Sequence, residues 1–71
     1  MSIISTLIPG LGRFEVPAHL VDRAIAEYLP ASGKELHSIV EARTGSEFLE
    51  PWDVSTLLVV LASFYSDNPR W

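Results

Sequence analysis

The chain has 71 residues, no cysteine, and five lysine and arginine residues against nine aspartate and glutamate residues, which gives a net charge of −4. A chain of this length forms a single domain at most and buries only about 60% of the surface that it exposes when unfolded. The composition therefore excludes disulfides and thiolate metal sites, and the acidic balance argues against nucleic-acid binding, which cationic side chains drive.

Hydrophobic residues make up 48% of the chain, but no stretch of them is long enough to cross a bilayer. The longest uncharged stretch, residues 54–66, has 13 residues, whereas a transmembrane helix needs about 20. The first residues carry neither the basic segment nor the cleavage site of a secretory signal. We therefore expect no transmembrane segment and a cytoplasmic location.

Residues 1–16 form the first unit of the predicted organisation. Two six-residue stretches, residues 3–8 and 11–16, flank Pro9 and Gly10, a pair typical of a type II turn. The unit is either a short hairpin around that turn or an extended arm that lies on another subunit. A two-stranded hairpin is marginal by itself in water, so either form has to pack against something.

Residues 17–71 are predicted to form a three-helix domain, and its first helix begins at Pro17. Proline is favoured at the first helical position, and Pro30 is expected to end the helix. Apolar residues recur between them at helical spacing: Leu20, Val21, Ala24, Ile25, Tyr28 and Leu29. The opposite face is polar and is expected to face water: His19, Asp22, Arg23 and Glu27.

A capping box opens the predicted second helix. The Ser32 hydroxyl can accept a hydrogen bond from the amide of Glu35, whose carboxylate can reach back to the amide of Ser32. Gly45 fits the left-handed position that follows a helix. The helix spans only about three turns, so it needs packing to be stable.

The third helix is predicted to begin at Pro51, with Glu50 as its N-cap and Asp53 in its first turn. Both carboxylates then lie at the positive end of the helix dipole. Alternatively, Ser46 opens an earlier single turn that runs through Glu50. Asn68 and Pro69 are expected to end the helix.

The third helix has no charged face. One side is apolar and is interpreted as the core face, and the other carries hydroxyl and branched residues: Ser55, Thr56, Val59, Val60 and Ser63. A surface helix normally exposes a charged strip. This helix is therefore either enclosed within its own domain, which 71 residues can hardly arrange, or buried against another chain. We favour the second alternative and predict these residues as a partner interface.

A second candidate contact surface is the segment of residues 47–53, in which three acids alternate with three large apolar side chains. Aromatic residues anchor protein interfaces, and a rim of carboxylates steers a basic partner. The requirements of a helix start account for most of this segment, but they leave Glu47 and Trp52 unexplained. Trp71 is a further large ring that is costly to leave in water. We therefore add Glu47, Trp52 and Trp71 to the predicted partner interface.

No motif in the sequence predicts catalysis or a bound cofactor. His37 and Glu41 have the spacing of two ligands on one helix, but a metal site needs three or four, so we interpret them as a solvated ion pair. Gly10 and Gly12 lack the other residues of a phosphate-binding loop and are interpreted as turn residues. Residues 54–66 offer no side chain that reads base edges, which argues against a helix-turn-helix.

The sequence therefore predicts an all-α fold, a small three-helix domain with an N-terminal extended arm or short hairpin. The predicted function is a non-enzymatic protein–protein interaction module, such as an adaptor, assembly factor or inhibitor subunit of the kind that phages and mobile elements carry. We expect a homo-oligomer or a complex with a protein partner through the third helix, with no cofactor, metal or nucleic acid. The alternatives are a binder of lipid surfaces or small apolar ligands and, less favoured, a small enzyme with its site at a subunit interface.

Overall fold

The fold combines a two-stranded antiparallel sheet with three helices. The computed structural model describes residues 2–8, 10–47 and 52–66. In chain order the elements are β1 (Ile3–Ile8), β2 (Gly12–Pro17), α1 (Ala18–Tyr28), α2 (Gly33–Thr44) and α3 (Val54–Ser63). The predicted all-α class, a bundle of helices, is therefore wrong. The chain is an α+β domain, because the N-terminal residues form a sheet that packs into the core.

The hairpin is one of the two alternatives that the sequence leaves open for the N-terminal residues. β1 and β2 pair in the register that places Ile8 opposite Gly12. The amide of Leu11 donates to the carbonyl of Ile8 over 3.0 Å, and Gly10 has a φ of 86°. A type II turn requires a positive φ at its third position, where glycine pays no steric penalty.

The second helix begins and ends as predicted. The amide of Glu35 donates to the Ser32 Oγ over 3.1 Å, and the Ser32 hydroxyl donates to the Glu35 carboxylate over 3.2 Å. Gly45 follows the helix with a φ of 72°, and its amide donates to the carbonyl of Glu41 over 2.9 Å. The Ser32 N-cap and the left-handed glycine are both confirmed, whereas the Glu35 carboxylate bonds to the Ser32 hydroxyl where the sequence predicted the Ser32 amide.

The third helix begins later than predicted. Its N-cap is Asp53 and not Glu50, because the Asp53 carboxylate accepts a hydrogen bond of 2.7 Å from the amide of Thr56. Glu50 and Pro51 lie outside the described residues. The helix ends at Ser63, well before the stop expected at residues 68–69.

The third helix lies at the centre of the fold. It packs against α1, α2 and both strands, and residues 57–63 are all buried. The hairpin covers the side of α3 that the two other helices leave open, with Ile8, Phe14 and Val16 buried in the same core. The chain thus encloses this uncharged helix within its own domain, the alternative that the sequence made less favoured.

Candidate functional site

In the part of the chain that the structure describes, the outer edge of β1 has no neighbouring strand. The amide of Ala18 donates to the carbonyl of Ser2 over 2.9 Å, which makes these residues a hydrogen-bonded pair of the antiparallel ladder. Hydrogen-bonded and non-bonded pairs alternate along the ladder, so the even-numbered residues of β1 bond to β2. The amide and carbonyl groups of the odd-numbered residues therefore point away from β2: Ile3, Ser5 and Leu7.

The edge of β1 lacks the charged residues and the proline that commonly protect a sheet edge. β1 contains no charged residue and no proline, and its Ile3 and Leu7 side chains are 54% and 75% exposed. The edge of β2, in contrast, carries Arg13 and Glu15 and ends at Pro17, which has no amide hydrogen. Charges and proline hinder the addition of another strand. A further strand can therefore pair with the edge of β1, whereas its addition to the edge of β2 is hindered.

A groove of about 340 Å³ lies beside the edge of β1. Apolar side chains from β1, α1 and α3 form its walls and floor: Ile4, Val21, Ile25, Leu58 and Val59. Polar side chains line its rim: Thr6, Asp53, Ser55 and Thr56. The described lining includes no residue of β2, so the groove borders β1 on the side away from β2. We call this groove and the outward backbone of Ile3, Ser5 and Leu7 the β1 edge site.

Asp53 is the ionisable side chain among the described lining residues of the groove. Hydrogen bonds from the side chain and the backbone of Thr56 stabilise its charged form and hold the pKa of Asp53 below the ordinary value of an aspartate. The rim therefore carries a negative charge at neutral pH, and that carboxylate caps α3.

Replacing Asp53 by asparagine is expected to change how stability depends on pH. The carboxyl group holds a proton less tightly in the folded chain than in the unfolded chain. Its contribution is therefore present above the unfolded pKa of about 3.9 and is lost as the pH falls through the lower, folded pKa. Asparagine keeps a capping oxygen but does not titrate. In urea unfolding of both chains over this acid range, the free energy of unfolding of the wild type should fall more steeply with decreasing pH. Parallel plots of this free energy against pH would contradict the role of the Asp53 carboxylate as a charged cap.

The structure separates the residues that were predicted as an interface on the third helix. Val60 and Ser63 are buried within the domain, and the Ser63 hydroxyl donates to the carbonyl of Val60 over 2.6 Å. Val59 is also buried but reaches the floor of the groove, and Ser55 and Thr56 lie on its rim. The predicted residues therefore do not share one exposed face, and Ser55, Thr56 and Val59 belong to the β1 edge site.

The acidic segment is only partly within the described residues. Glu47 is exposed, and Trp52 is half-buried against the core. The Trp52 ring meets the His37 ring edge-on, with centroids 6.3 Å apart, so it holds the segment against α2. Residues 48–51 and Trp71 lie outside the described residues, and Trp52 serves as a packing residue in the structure.

The pair of His37 and Glu41 is present as predicted, although it is less solvated than expected. The His37 Nε2 lies 3.3 Å from a carboxylate oxygen of Glu41, and both side chains are half-buried. Within the described ranges, no three side chains of the metal-ligating types lie together. The pair connects successive turns of α2.

Sequence reasoning missed a contact between α1 and the residues after α3. The Arg23 guanidinium lies 4.3 Å from the centroid of the Tyr65 ring, and the Tyr65 hydroxyl donates to the Glu27 carboxylate. Arg23 and Glu27 were interpreted as part of a solvated face. The i,i+4 spacing of Arg23 and Glu27 places them side by side on α1 and could have indicated a shared partner. Nothing in the sequence indicates that this partner is Tyr65.

Sequence reasoning also missed the residues that make the edge of β1 open. The signal was available in β1 itself, a stretch of six residues with high β-propensity, no charge and no proline. The groove carried no comparable signal, because its walls come from three separate elements.

Every helix in the described part of the chain is too short or too polar to cross a bilayer. Comparison of the sequence with protein-family models, with curated proteins and with solved structures finds no match. The interpretation of the β1 edge site therefore depends on its own geometry and chemistry.

Proposed function

We propose that the chain is a non-enzymatic protein–protein interaction module that binds an extended segment of a partner as a further strand on β1. The observation that supports this function is the juxtaposition of an open strand edge with an apolar groove. Other proteins bind peptides in this way, with main-chain hydrogen bonds for affinity and pockets for alternate side chains for specificity.

The backbone supplies the first part of such a site. The amide and carbonyl groups of Ile3, Ser5 and Leu7 point outward at regular spacing along one edge. An incoming strand satisfies these groups without disturbing the hairpin, because the bonds to β2 are made by the other residues of β1. The edge is therefore ready to bind a strand without rearrangement.

The groove supplies the second part. Side chains alternate between the two faces of a strand, so every second side chain of a strand added to β1 faces the groove. The apolar floor of Leu58 and Val59 favours aliphatic side chains at those positions. Asp53 at the rim and the net charge of −4 favour a neutral or basic segment over an acidic one.

A synthetic strand tests this proposal directly. The probe is a fluorescent peptide of alternating threonine and valine with lysine at both ends, and its binding is measured by fluorescence anisotropy. Ser5→Pro removes one outward amide hydrogen and leaves every bond to β2 in place, since proline is tolerated on an edge strand. We expect binding to weaken about tenfold or more, which is about 1.4 kcal/mol for a lost hydrogen bond and the added ring.

The matched control is Ser5→Ala, which changes the same side chain but keeps the amide hydrogen. This variant should bind the peptide as the wild type does. Wild-type protein that stays monomeric and does not bind the peptide at about 1 mM, a concentration that detects even weak association, would contradict the proposal. Equal weakening by the alanine and proline variants would show that the Ser5 side chain, and not the strand edge, makes the contact.

A small apolar ligand is the second candidate occupant. The groove volume of about 340 Å³ falls at the lower end of the range for small-molecule pockets, and its floor is apolar. A hydrophobic fluorescent dye distinguishes the candidates. Dye binding that Ile25→Glu removes and Ser5→Pro leaves unchanged, together with no peptide binding, would favour the small ligand.

A further inference from the structure

We infer that the strand bound by β1 is the β1 strand of a second copy, so that two hairpins form one four-stranded sheet about a two-fold axis at Ser5. This inference rests on the proposed function, since it names the partner for the β1 edge site. It accounts for three features of the edge: the spacing of its outward backbone groups, the identity of its exposed side chains and its lack of charge.

The outward backbone groups are self-complementary. They belong to residues 3, 5 and 7, which lie symmetrically about Ser5. Antiparallel pairing centred on Ser5 places Ile3 opposite Leu7 of the second copy, Ser5 opposite Ser5, and Leu7 opposite Ile3. Every one of these positions is a hydrogen-bonded pair, so each outward amide and carbonyl group in the paired stretch finds a partner.

The side chains in this register are matched as well. Ile3 and Leu7 are the two most exposed large apolar side chains of the described chain, and each would lie beside the other across the new pair of strands. Such apolar cross-strand neighbours stabilise a sheet. The small Ser5 side chain also leaves room at the point where the two copies are closest.

The groove becomes part of the same interface. In the register centred on Ser5, Ile4 of the second copy lies beside Thr6 on the inner face of the sheet, next to the groove. The wall formed by α1 carries Ile25, which is partly exposed in the single chain. Pairing through β1 therefore covers apolar surface on both faces of the edge.

Charge sets the conditions under which the two copies associate. Each chain carries a net charge of −4, so the two copies repel one another at long range. β1 has no charged residue, and the contact itself adds no further repulsion. Added salt screens the long-range repulsion, so the dimer is expected to strengthen as salt rises.

Sedimentation equilibrium of the full chain tests self-association through this edge. The wild type should form dimers with a dissociation constant of about 100 μM or below. Ser5→Pro removes the pair of hydrogen bonds at the axis and should raise the dimer dissociation constant about tenfold or more. Ser5→Ala, the matched control, should dimerise as the wild type does, and circular dichroism should show both variants folded.

A pair of double variants tests the register. Ile3→Glu with Leu7→Glu places like charges opposite each other across the axis, and this chain should be a monomer. Ile3→Lys with Leu7→Glu places opposite charges at the same positions and should restore the dimer. Both chains share Leu7→Glu, which lies beside Arg13 in the hairpin, so they differ only at Ile3. Parallel pairing would place like charges together in both chains, and the second variant would then also be a monomer.

The outcomes separate this inference from the proposed function. A wild-type chain that stays monomeric at about 1 mM but binds the alternating peptide through Ser5 would overturn the inference and leave the proposed function intact. A dimer that neither Ser5→Pro nor the charged pairs disrupt would place the contact elsewhere and would also overturn it. A monomer that does not bind the peptide contradicts both.

Discussion

Replacing Val60 by glutamate is expected to unfold the chain. Val60 is 0% exposed at the centre of α3, which packs against α1, α2 and both strands. An unpaired carboxylate in such a position costs several kcal/mol, whether it stays charged or takes up a proton. A domain of 71 residues has only about 4–10 kcal/mol of stability in total. Far-ultraviolet circular dichroism should therefore show loss of most of the helical signal at neutral pH.

The control for this substitution is Val54→Glu, at the first residue of the same helix. Val54 is 37% exposed, and a carboxylate in the first turn interacts favourably with the helix dipole. This variant should keep the wild-type spectrum and nearly the wild-type stability. A Val60→Glu chain that stays folded but loses self-association would show that α3 contacts a second chain, as the sequence alone had suggested, and would overturn its enclosure within the domain.

Local chemistry predicted the second helix correctly because all of its signals are local. The capping box needs only Ser32 and Glu35, three residues apart, and the end of the helix needs only a residue that accepts a positive φ. No distant part of the chain competes with these bonds. Elements with such signals at both ends can be predicted without knowledge of the fold.

The start of the third helix was predicted wrongly because two local signals compete. Pro51 after Glu50 is a favourable first helical residue, and Asp53, which was predicted to lie in the first turn, is itself a favoured N-cap residue. The structure uses Asp53, whose carboxylate reaches the amide of Thr56. The first start rests on proline at the first helical position and the second on aspartate at the N-cap, and the prediction followed the proline.

The environment of the third helix was misjudged for a reason that lies outside the helix. Its uncharged face indicates burial but does not identify what covers it. We counted three helices as the only layers and therefore assigned that face to another chain. The hairpin is the missing layer, because Phe14 and Val16 of β2 pack into the core that contains α3. The wrong fold class and the assignment of this face of α3 to an interface thus have the same cause, which is that the hairpin was not counted as a layer.

The same reassignment moves the candidate contact surface from α3 to β1. Once the hairpin packs its inner face on α3, the backbone groups of Ile3, Ser5 and Leu7 lie at the outer edge of β1 and point away from β2. That this small apolar domain binds a partner stays a proposal, and the surface proposed for the contact is the β1 edge site. That surface depends on the pairing of two strands with a central helix, a long-range arrangement that periodicity in the sequence does not show.

Replacing Phe14 by alanine is expected to destabilise the whole chain, including its helices. Phe14 is 1% exposed and is the largest fully buried side chain, at the position where β2 packs on the core. Truncation of a buried phenylalanine to alanine costs about 3–5 kcal/mol, because packing contacts are lost and a cavity remains. This loss approaches the total stability of about 4–10 kcal/mol for a domain of this length. Urea unfolding followed by the helical signal should therefore show a much lower midpoint or no folded baseline.

The matched control for Phe14→Ala is Leu7→Ala, on the other face of the same hairpin. Leu7 is exposed and contributes little to the core, so its truncation should leave the unfolding midpoint nearly unchanged. If the hairpin were an accessory arm on a self-sufficient helical domain, Phe14→Ala would also leave the helical midpoint unchanged. A large loss for Phe14→Ala beside a small one for Leu7→Ala shows instead that the sheet and the helices fold as one unit.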